Sequence, residues 1–401
     1  MQVRRFLVGA GAGLSAGYAA VRTVQAVRET LRPSPTRAKD AAAYGRLKRA
    51  LAVDGLLRGA AVSAAFAYGG GAARLSAATR TRAVWLHPAL FTGAAMLLES
   101  VADLPADFIE GYSVERTNGL TEQSVRGWLA DRAKETAVTT VVSAGLAVPL
   151  AAALRRFPKH WALLASAATL PLAVLANLIV PVYVLPLFNT FEKLDGPLER
   201  RLRALARQYG VGDAEILRMN MSRQTTKANA FVTGIGSVHR IVVGDTLIDA
   251  FTEDEIAFVV AHELGHYVSR DSWRMIAVSQ VLVTASFLAT QSRVGSDVAQ
   301  GGEDPTTIAR LFVWVSLVAH LAQPALAAFT RSREWAADRF ALEATRDPGA
   351  GAAAFRRLRD QNLAEDAAPA WYEFLFGTHP PLKARIAALE AARASGLHQH
   401  A

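Results

Sequence analysis

The sequence predicts an all-α membrane protein of about seven transmembrane helices, interrupted by two polar blocks that together form a small α+β domain. Three observations carry this. Half of the 401 residues are hydrophobic (51%) and only 20% are charged, a balance typical of chains that sit in lipid. About seven charge-poor apolar runs approach the roughly 20 residues that a bilayer core requires. Between and after them lie two stretches, 190–274 and 331–401, with the charge density and turn chemistry of soluble protein. The formal charge of +9 fits Lys and Arg in loops facing anionic lipid, and no basic stripe interleaved with aromatics suggests a nucleic-acid partner. Cysteine is absent, which excludes disulfides, thiolate catalysis and Cys-ligated zinc together.

In chain order, Phe6–Val21 is the first predicted span; its Arg4-Arg5 start also fits a signal sequence, but repeated spanning favours an uncleaved anchor. Gly59–Ala73 and Ala83–Leu98 follow, short and rich in Ala and Gly, with Asp54, Arg58 and Glu99 at their margins. Four stronger spans come next: Thr136–Leu154, Trp161–Asn189, Met275–Ser292 and Leu311–Thr330, three of them bounded at both ends by charge. The organisation is thus an N-terminal set of spans over 1–189, a polar block over 190–274, two further spans over 275–330, and a polar block over 331–401. Inside the first block, NAFVTGIGSVHRIVVGDTL alternates and carries Gly-rich turns, reading as a hairpin or small sheet. Thr252-Glu253-Asp254-Glu255 is a capping box that opens a helix.

That helix contains FVVAHELGHYVSRD, residues 258–271. His262 and His266 are four apart and project from one helical face, with a rise of about 6 Å between them, a spacing suited to chelating one metal. Glu263 is adjacent to the first and points beside the metal, where its carboxylate can take a proton from bound water. The implied cofactor is Zn²⁺. Zinc lowers the pKa of its water to near 7 and polarises a scissile carbonyl, and the glutamate carries the proton to the leaving amine. A chance H-E-x-x-H arises in roughly one chain of this composition in a hundred, so a third ligand is the test. TRSREWAADRFALEA supplies candidates: Glu334 and Asp338, four apart on one helical face just after the last span. Among intramembrane polar residues, Glu99, His320 and Gln323 are candidates for lining a chamber, whereas His87-Pro88 and Pro324 mark helix ends or kinks.

HELGH, then R-x-R-E-W-x-A-D, then T-H-P-P-L-x-x-R-I at 378–386 resemble the type 1 CAAX prenyl proteases, integral-membrane zinc metallopeptidases, and more distantly the heat-shock membrane proteases. GYSVERTNGLTEQS (111–124), LPLFNTFEKLDGPL (185–198) and KANAFVTG (227–234) are similar to segments of the CAAX enzymes. The resemblance covers roughly residues 100 to 390. It implies that His262, His266 and Glu334 are zinc ligands, Glu263 the general base, and Asp338 a proton donor, although a carboxylate one turn from a ligand can instead orient a ligating histidine. His379 and Arg385, in the His-Pro-Pro motif, would polarise the substrate carbonyl or hold its end; Pro380-Pro381 also fits a simple turn before a helix. Asn229-Ala230 resembles a substrate-aligning edge strand.

The expected function is therefore a membrane-embedded zinc endopeptidase with CAAX-like C-terminal processing of a peptide or protein substrate, lipidated or not, in contact with membrane lipid. Quality-control cleavage of damaged membrane proteins is the alternative within that class. A non-catalytic multi-pass transporter or binding protein is the alternative outside it, and the intact His262, Glu263, His266 and Glu334 argue against that. Seven spans put the loop between the first two, the zinc-helix block and the C-terminal block on one side and the other loops opposite. The excess of Lys and Arg in 22–49 assigns the site to the cytoplasmic side.

Overall fold

The computed structural model describes residues 40–233, 239–301 and 304–396. The predicted span Phe6–Val21 lies outside them. Helix α1 (Ala41–Tyr68) is capped by Asp40, whose side chain accepts from the Ala43 amide at 2.9 Å, and it ends at Gly69-Gly70, where Gly70 takes φ 93°. A short α2 (Gly71–Ala78) precedes α3 (His87–Phe108), which continues through a π turn to Thr117. Helices α4 (Val125–Arg156) and α5 (Trp161–Ile179, continuing to Leu187) lead into the first polar block.

That block contains β1 (Phe191–Lys193), α6 (Pro197–Gln208), β2 (Glu215–Met219), β3 (Ala230–Thr233), β4 (Arg240–Gly244), α7 (Asp245–Ile248) and α8 (Glu253–Val268). Helices α9 (Asp271–Gly301) and α10 (Thr306–Thr345) form a long pair, and α11 (Pro348–Gln361), α12 (Ala370–Phe376) and α13 (Leu382–Ala394) close the chain. Among the described residues six helices, α1, α3, α4, α5, α9 and α10, are long and apolar enough to cross a membrane. Their outward faces carry Val101, Val141 and Leu321, each more than 70% exposed, a surface that suits lipid rather than water.

The two weak spans begin elsewhere than the sequence suggests. Instead of Gly59–Ala73 the helix covers Ala41–Tyr68, and instead of Ala83–Leu98 it runs from His87 past Glu99 to Thr117. Of the charges that marked span margins, Arg58 is satisfied between helices by Asp103, and a second such pair joins Arg132 to Asp107. An ion pair formed inside the bundle removes much of the penalty that a lone charge would carry there. Pro88 occupies the first turn of α3, as expected for a helix start, but Pro324 lies within uninterrupted α10 and ends nothing. The loop 118–124, expected opposite the polar blocks, lies with them, as alternation requires of the loop that follows the third of seven spans. The Thr226 amide donates to the Leu120 carbonyl at 3.0 Å and Thr121 Oγ1 to the Gln224 carbonyl at 2.7 Å, so this loop joins the polar blocks rather than the opposite face.

The four strands form one mixed sheet in the order β1-β2-β4-β3, in which β2 and β4 are parallel and the other pairs antiparallel. The predicted hairpin is the β3–β4 pair. The largest core joins both polar blocks: Leu202, Ile241, Val243, Ile256, Phe258 and Leu264 of the first pack with Ala341, Phe355, Ile386 and Leu389 of the second. Burial of side chains of this size stabilises by about 1.5–3 kcal/mol each, so two segments far apart in sequence behave as one folded unit beside the membrane helices.

Candidate metal centre

Local sequence explains why α8 is rigid where its polar groups emerge. Thr252 and Glu255 form a reciprocal capping box, with Thr252 N–H donating to Glu255 Oε2 at 2.8 Å and Glu255 N–H to Thr252 Oγ1 at 3.3 Å. Glu255 also accepts from Arg357 Nε at 2.9 Å, tying the helix start to α11. Gly265 sits where α8 crosses α10: a Cβ there would lie 3.1 Å from Phe340 Cβ and 3.2 Å from Ala337 Cα. The missing side chain lets the backbones approach, and the approach brings the polar face of α8 onto Glu334 and Asp338.

His262 Nε2 and His266 Nε2 face each other at 3.2 Å, and each lies 3.4 Å from a Glu334 oxygen. One ligand atom from each of these residues falls within 4.8 Å of the others. The opposite ring nitrogens are held by carboxylates. His262 Nδ1 is 2.9 Å from Asp338 Oδ1, and His266 Nδ1 is 3.0 Å from Asp271 Oδ2. When both Nδ1–H groups donate to those carboxylates, both Nε2 lone pairs point into one space beside a buried carboxylate. Glu334 Oε2 makes no hydrogen bond despite its burial. Two lone pairs and an orphaned carboxylate oxygen crowd together favourably only around a cation, and two imidazoles with one carboxylate match the donor set of a catalytic zinc site. Without a cation, a proton takes its place. Burial disfavours the His262 imidazolium, but hydrogen bonds to Asp338 and Glu334 outweigh it and push its pKa up to about 9.

Around this centre, Glu263 is partly buried and makes no hydrogen bond or ion pair among the described residues. Burial raises its carboxyl pKa despite the attraction of His262 and His266. Arg385 is 6% exposed. It clamps Asp338 through Nε–Oδ2 at 2.7 Å and Nη2–Oδ1 at 2.5 Å, stands 3.6 Å from Glu334 and stacks on Phe355 at 4.1 Å. His379 lies at the mouth, its side chain 63% exposed and Nε2 3.4 Å from Glu334 Oε1. Arg331, the charge that bounds the last span, holds the His-Pro-Pro turn by donating to the carbonyls of Glu373 and Gly377 at 2.8 and 2.5 Å.

Sequence reasoning missed Asp271 and Arg333. Asp271 lies five residues beyond His266, where the left-handed Arg270 (φ 54°) turns the chain into α9, and Arg333 Nε donates to its other oxygen at 2.7 Å. The signal was present, since Asp271 ends the polar stretch that began with His262, but only the turn at Arg270 shows that it folds back. Asn229 and Ala230 stand at the start of β3, the sheet edge beside α8. His320 and Gln323 line a cavity of about 320 Å³ between α1, α10 and α12. Glu99 is exposed on α3 and is not among its lining residues.

Fold and site together define a helical membrane protein with a metallopeptidase centre assembled from two polar blocks. Comparison with known proteins agrees. A profile of peptidase family M48 matches residues 192–393, and one of the CAAX prenyl protease N-terminal region, with five membrane helices, matches 20–190. The chain belongs to peptidase family M48 and is an integral-membrane metalloendopeptidase; such metalloproteases are in general zinc-dependent and act on peptide or protein substrates. It is 27% identical to an uncharacterized metalloprotease of Bacillus subtilis, YhfN, over 314 residues, 76% of this chain and 74% of that one. It is also 27% identical to the CAAX prenyl protease 1 homolog of Oryza sativa over 315 residues, 77% of this chain and 74% of that one. The crystal structure of Ste24p from S. mikatae superposes with a TM-score of 0.79 at 21% identity, covering 96% of this chain and 99% of that one. The fold is therefore that of Ste24p.

Proposed function

We propose that this protein is a zinc-dependent endopeptidase that trims the C-terminal region of CAAX-like, membrane-associated peptides at the cytoplasmic face. The observation that carries the reading is the convergence of His262 Nε2, His266 Nε2 and Glu334 on one space, with Asp338 and Asp271 behind the two rings. His262, His266 and Glu334 would hold the metal. When bound, zinc supplies a Lewis acid that lowers the pKa of water toward 7 and polarises the scissile carbonyl.

The chain's own residues account for the rest. Glu263, unpaired beside the ligands, takes a proton from the attacking water and returns it to the leaving amine nitrogen. His379, at the mouth and free on its outer side, donates to the carbonyl oxygen as charge develops there. Asp338 fixes the tautomer and direction of His262, and Arg385 fixes Asp338, so both position rather than touch substrate. Asp271 and Arg333 do the same for His266. A peptide added beside β3 is aligned by main-chain hydrogen bonds at Ala230 and Val232, with Asn229 at the strand's start. The sequence names no lipid, but the apolar spans suit a substrate that arrives from the bilayer.

The test compares hydrolysis of a farnesylated C-terminal peptide with that of its unlipidated twin by the purified, zinc-loaded protein. Preference for the lipidated peptide supports C-terminal processing. Equal cleavage of both supports quality-control proteolysis instead, and failure to cleave either would overturn the catalytic reading.

A further inference from the structure

Beside the β3 edge stands a residue that neither the sequence motifs nor the zinc chemistry involve. The Gly244 amide donates to the Asn229 carbonyl at 3.0 Å, and β3 pairs with β4 in antiparallel register from Ala230↔Val243 to Thr233↔Arg240. Successive residues of such a strand direct their backbone groups alternately to either side. Asn229, Phe231 and Thr233 therefore serve β4, while Ala228, Ala230 and Val232 direct theirs to the open side, since β3 has no neighbour there in the sheet.

At Ala228 that open side is already occupied. Its amide donates to Asn362 Oδ1 at 2.8 Å, and Asn362 Nδ2 donates back to its carbonyl at 3.2 Å. A carboxamide has the donor and acceptor of a peptide unit, so Asn362 makes the two bonds that the next strand would make. It is fixed from both sides. Gln361 Nε2 donates to the carbonyls of Thr226 and Thr246 at 2.8 and 3.1 Å. Leu363 takes a left-handed φ of 52°, unfavourable for a branched side chain, yet is buried to 3% exposure beside Tyr44, Ile109 and Leu120. Strain in a buried Leu next to a side chain that imitates a strand indicates that the placement of Asn362 is maintained by the surrounding fold.

We propose that Asn362 closes the substrate groove and sets how much chain the enzyme accepts beyond the cleaved bond. A peptide adding antiparallel to β3 pairs at Val232 and Ala230 and finds the next pairing site, Ala228, taken. Because the peptide runs opposite to β3, the closed end is its C-terminal end. The favoured substrate is therefore a peptide whose C terminus comes shortly after the cleaved bond, and Asn362 is a specificity-determining residue for that limit.

Two measurements on the full-length zinc-loaded protein test this, and both rest on the edge-strand reading in a way that can be separated. The first uses wild-type enzyme and peptides N-methylated at one backbone position at a time. Methylation of the residues pairing with Val232 and Ala230 should raise KM roughly three- to tenfold, and methylation at the next alternate residue, opposite Ala228, should leave it unchanged. A third penalty at that residue would overturn the role of Asn362. No penalty anywhere would overturn the edge-strand reading itself. The second compares peptides with short and long C-terminal tails in wild type and Asn362→Ala. Wild type should prefer the short tail by roughly tenfold or more in kcat/KM, and Asn362→Ala should reduce that ratio to near one. An unchanged ratio in the variant sinks the proposal, and should the variant not fold, the N-methyl series decides alone.

Discussion

Arg385 and Asp338 form a two-point ion pair in the interior, and the same carboxylate holds Nδ1 of His262 at 2.9 Å. A buried pair of this kind contributes little net stability, but removing one partner leaves an uncompensated charge. Arg385→Ala should lower stability by about 3–5 kcal/mol and weaken metal binding. Arg385→Lys keeps the charge but loses the fork, and it should cost about 10–100-fold in zinc affinity. Metal titration and thermal unfolding of the purified proteins check both; wild-type affinity in Arg385→Lys would mean that the fork has no part in orienting His262.

Glu263 and Glu334 are expected to fail differently. Glu263→Gln should remove the proposed proton transfer while leaving the proposed ligands in place, so hydrolysis should fall by about 10²–10⁴-fold with metal content preserved. Glu334→Ala removes the proposed third ligand and should lower zinc occupancy itself. Elemental analysis beside the peptidase assay separates them, and full zinc content in Glu334→Ala would move the third ligand elsewhere.

Gly265 tests whether the site depends on helix approach. Its Cβ would press on Phe340 and Ala337 at 3.1 and 3.2 Å, and overpacking of this sort costs about 1–3 kcal/mol. Gly265→Ala should lower the melting temperature and reduce zinc affinity together, because moving α8 from α10 separates both histidines from Glu334. A loss of stability with unaltered zinc binding would show that the contact serves packing alone.

The pH dependence follows from His262. In the metal-free protein its pKa rises from 6.5 to about 9 on folding, burial being outweighed by Asp338 and Glu334. The imidazolium therefore contributes stability fully below about pH 6.5 and loses it as pH rises through about 9. Zinc requires the neutral ring, so apparent zinc affinity should rise with pH across that window, about tenfold per unit for one displaced proton. Competition titrations at several pH values test this; a flat profile would mean that His262 carries no proton in the metal-free site.

These contrasts show what was legible in the sequence. The helical period alone aligns His262 with His266 and Glu334 with Asp338, because residues four apart share a face whatever the surrounding fold. Asp271, Arg333 and Asn362 were not legible, because their roles depend on a left-handed turn at Arg270, on the meeting of two polar blocks, and on a sheet edge reached from the end of α11. Span boundaries failed for a similar reason. Arg58 looks like a span end when read singly, and it falls within a helix only because Asp103 of a neighbouring helix pairs with it.

Sidedness is the remaining consequence of the spans. In the described residues the helices alternate so that the start of α1, the loop 118–124 and both polar blocks share one face, and residues 69–86, 157–160 and Asp304, which accepts from Ser76, share the other. The stretch 22–49 carries eight Lys/Arg against two acids, whereas 293–310 carries two arginines and three acids. Positive charge is retained on the cytoplasmic side, so the proposed location of the site is cytoplasmic, with Arg155, Arg156 and Lys159 opposing it on the far face. A reporter fused after residue 401 should thus be active when it reports cytoplasmic location and silent when it requires export. An exported fusion would reverse the whole arrangement, and with it the expectation that substrates are cleaved from the cytoplasmic side.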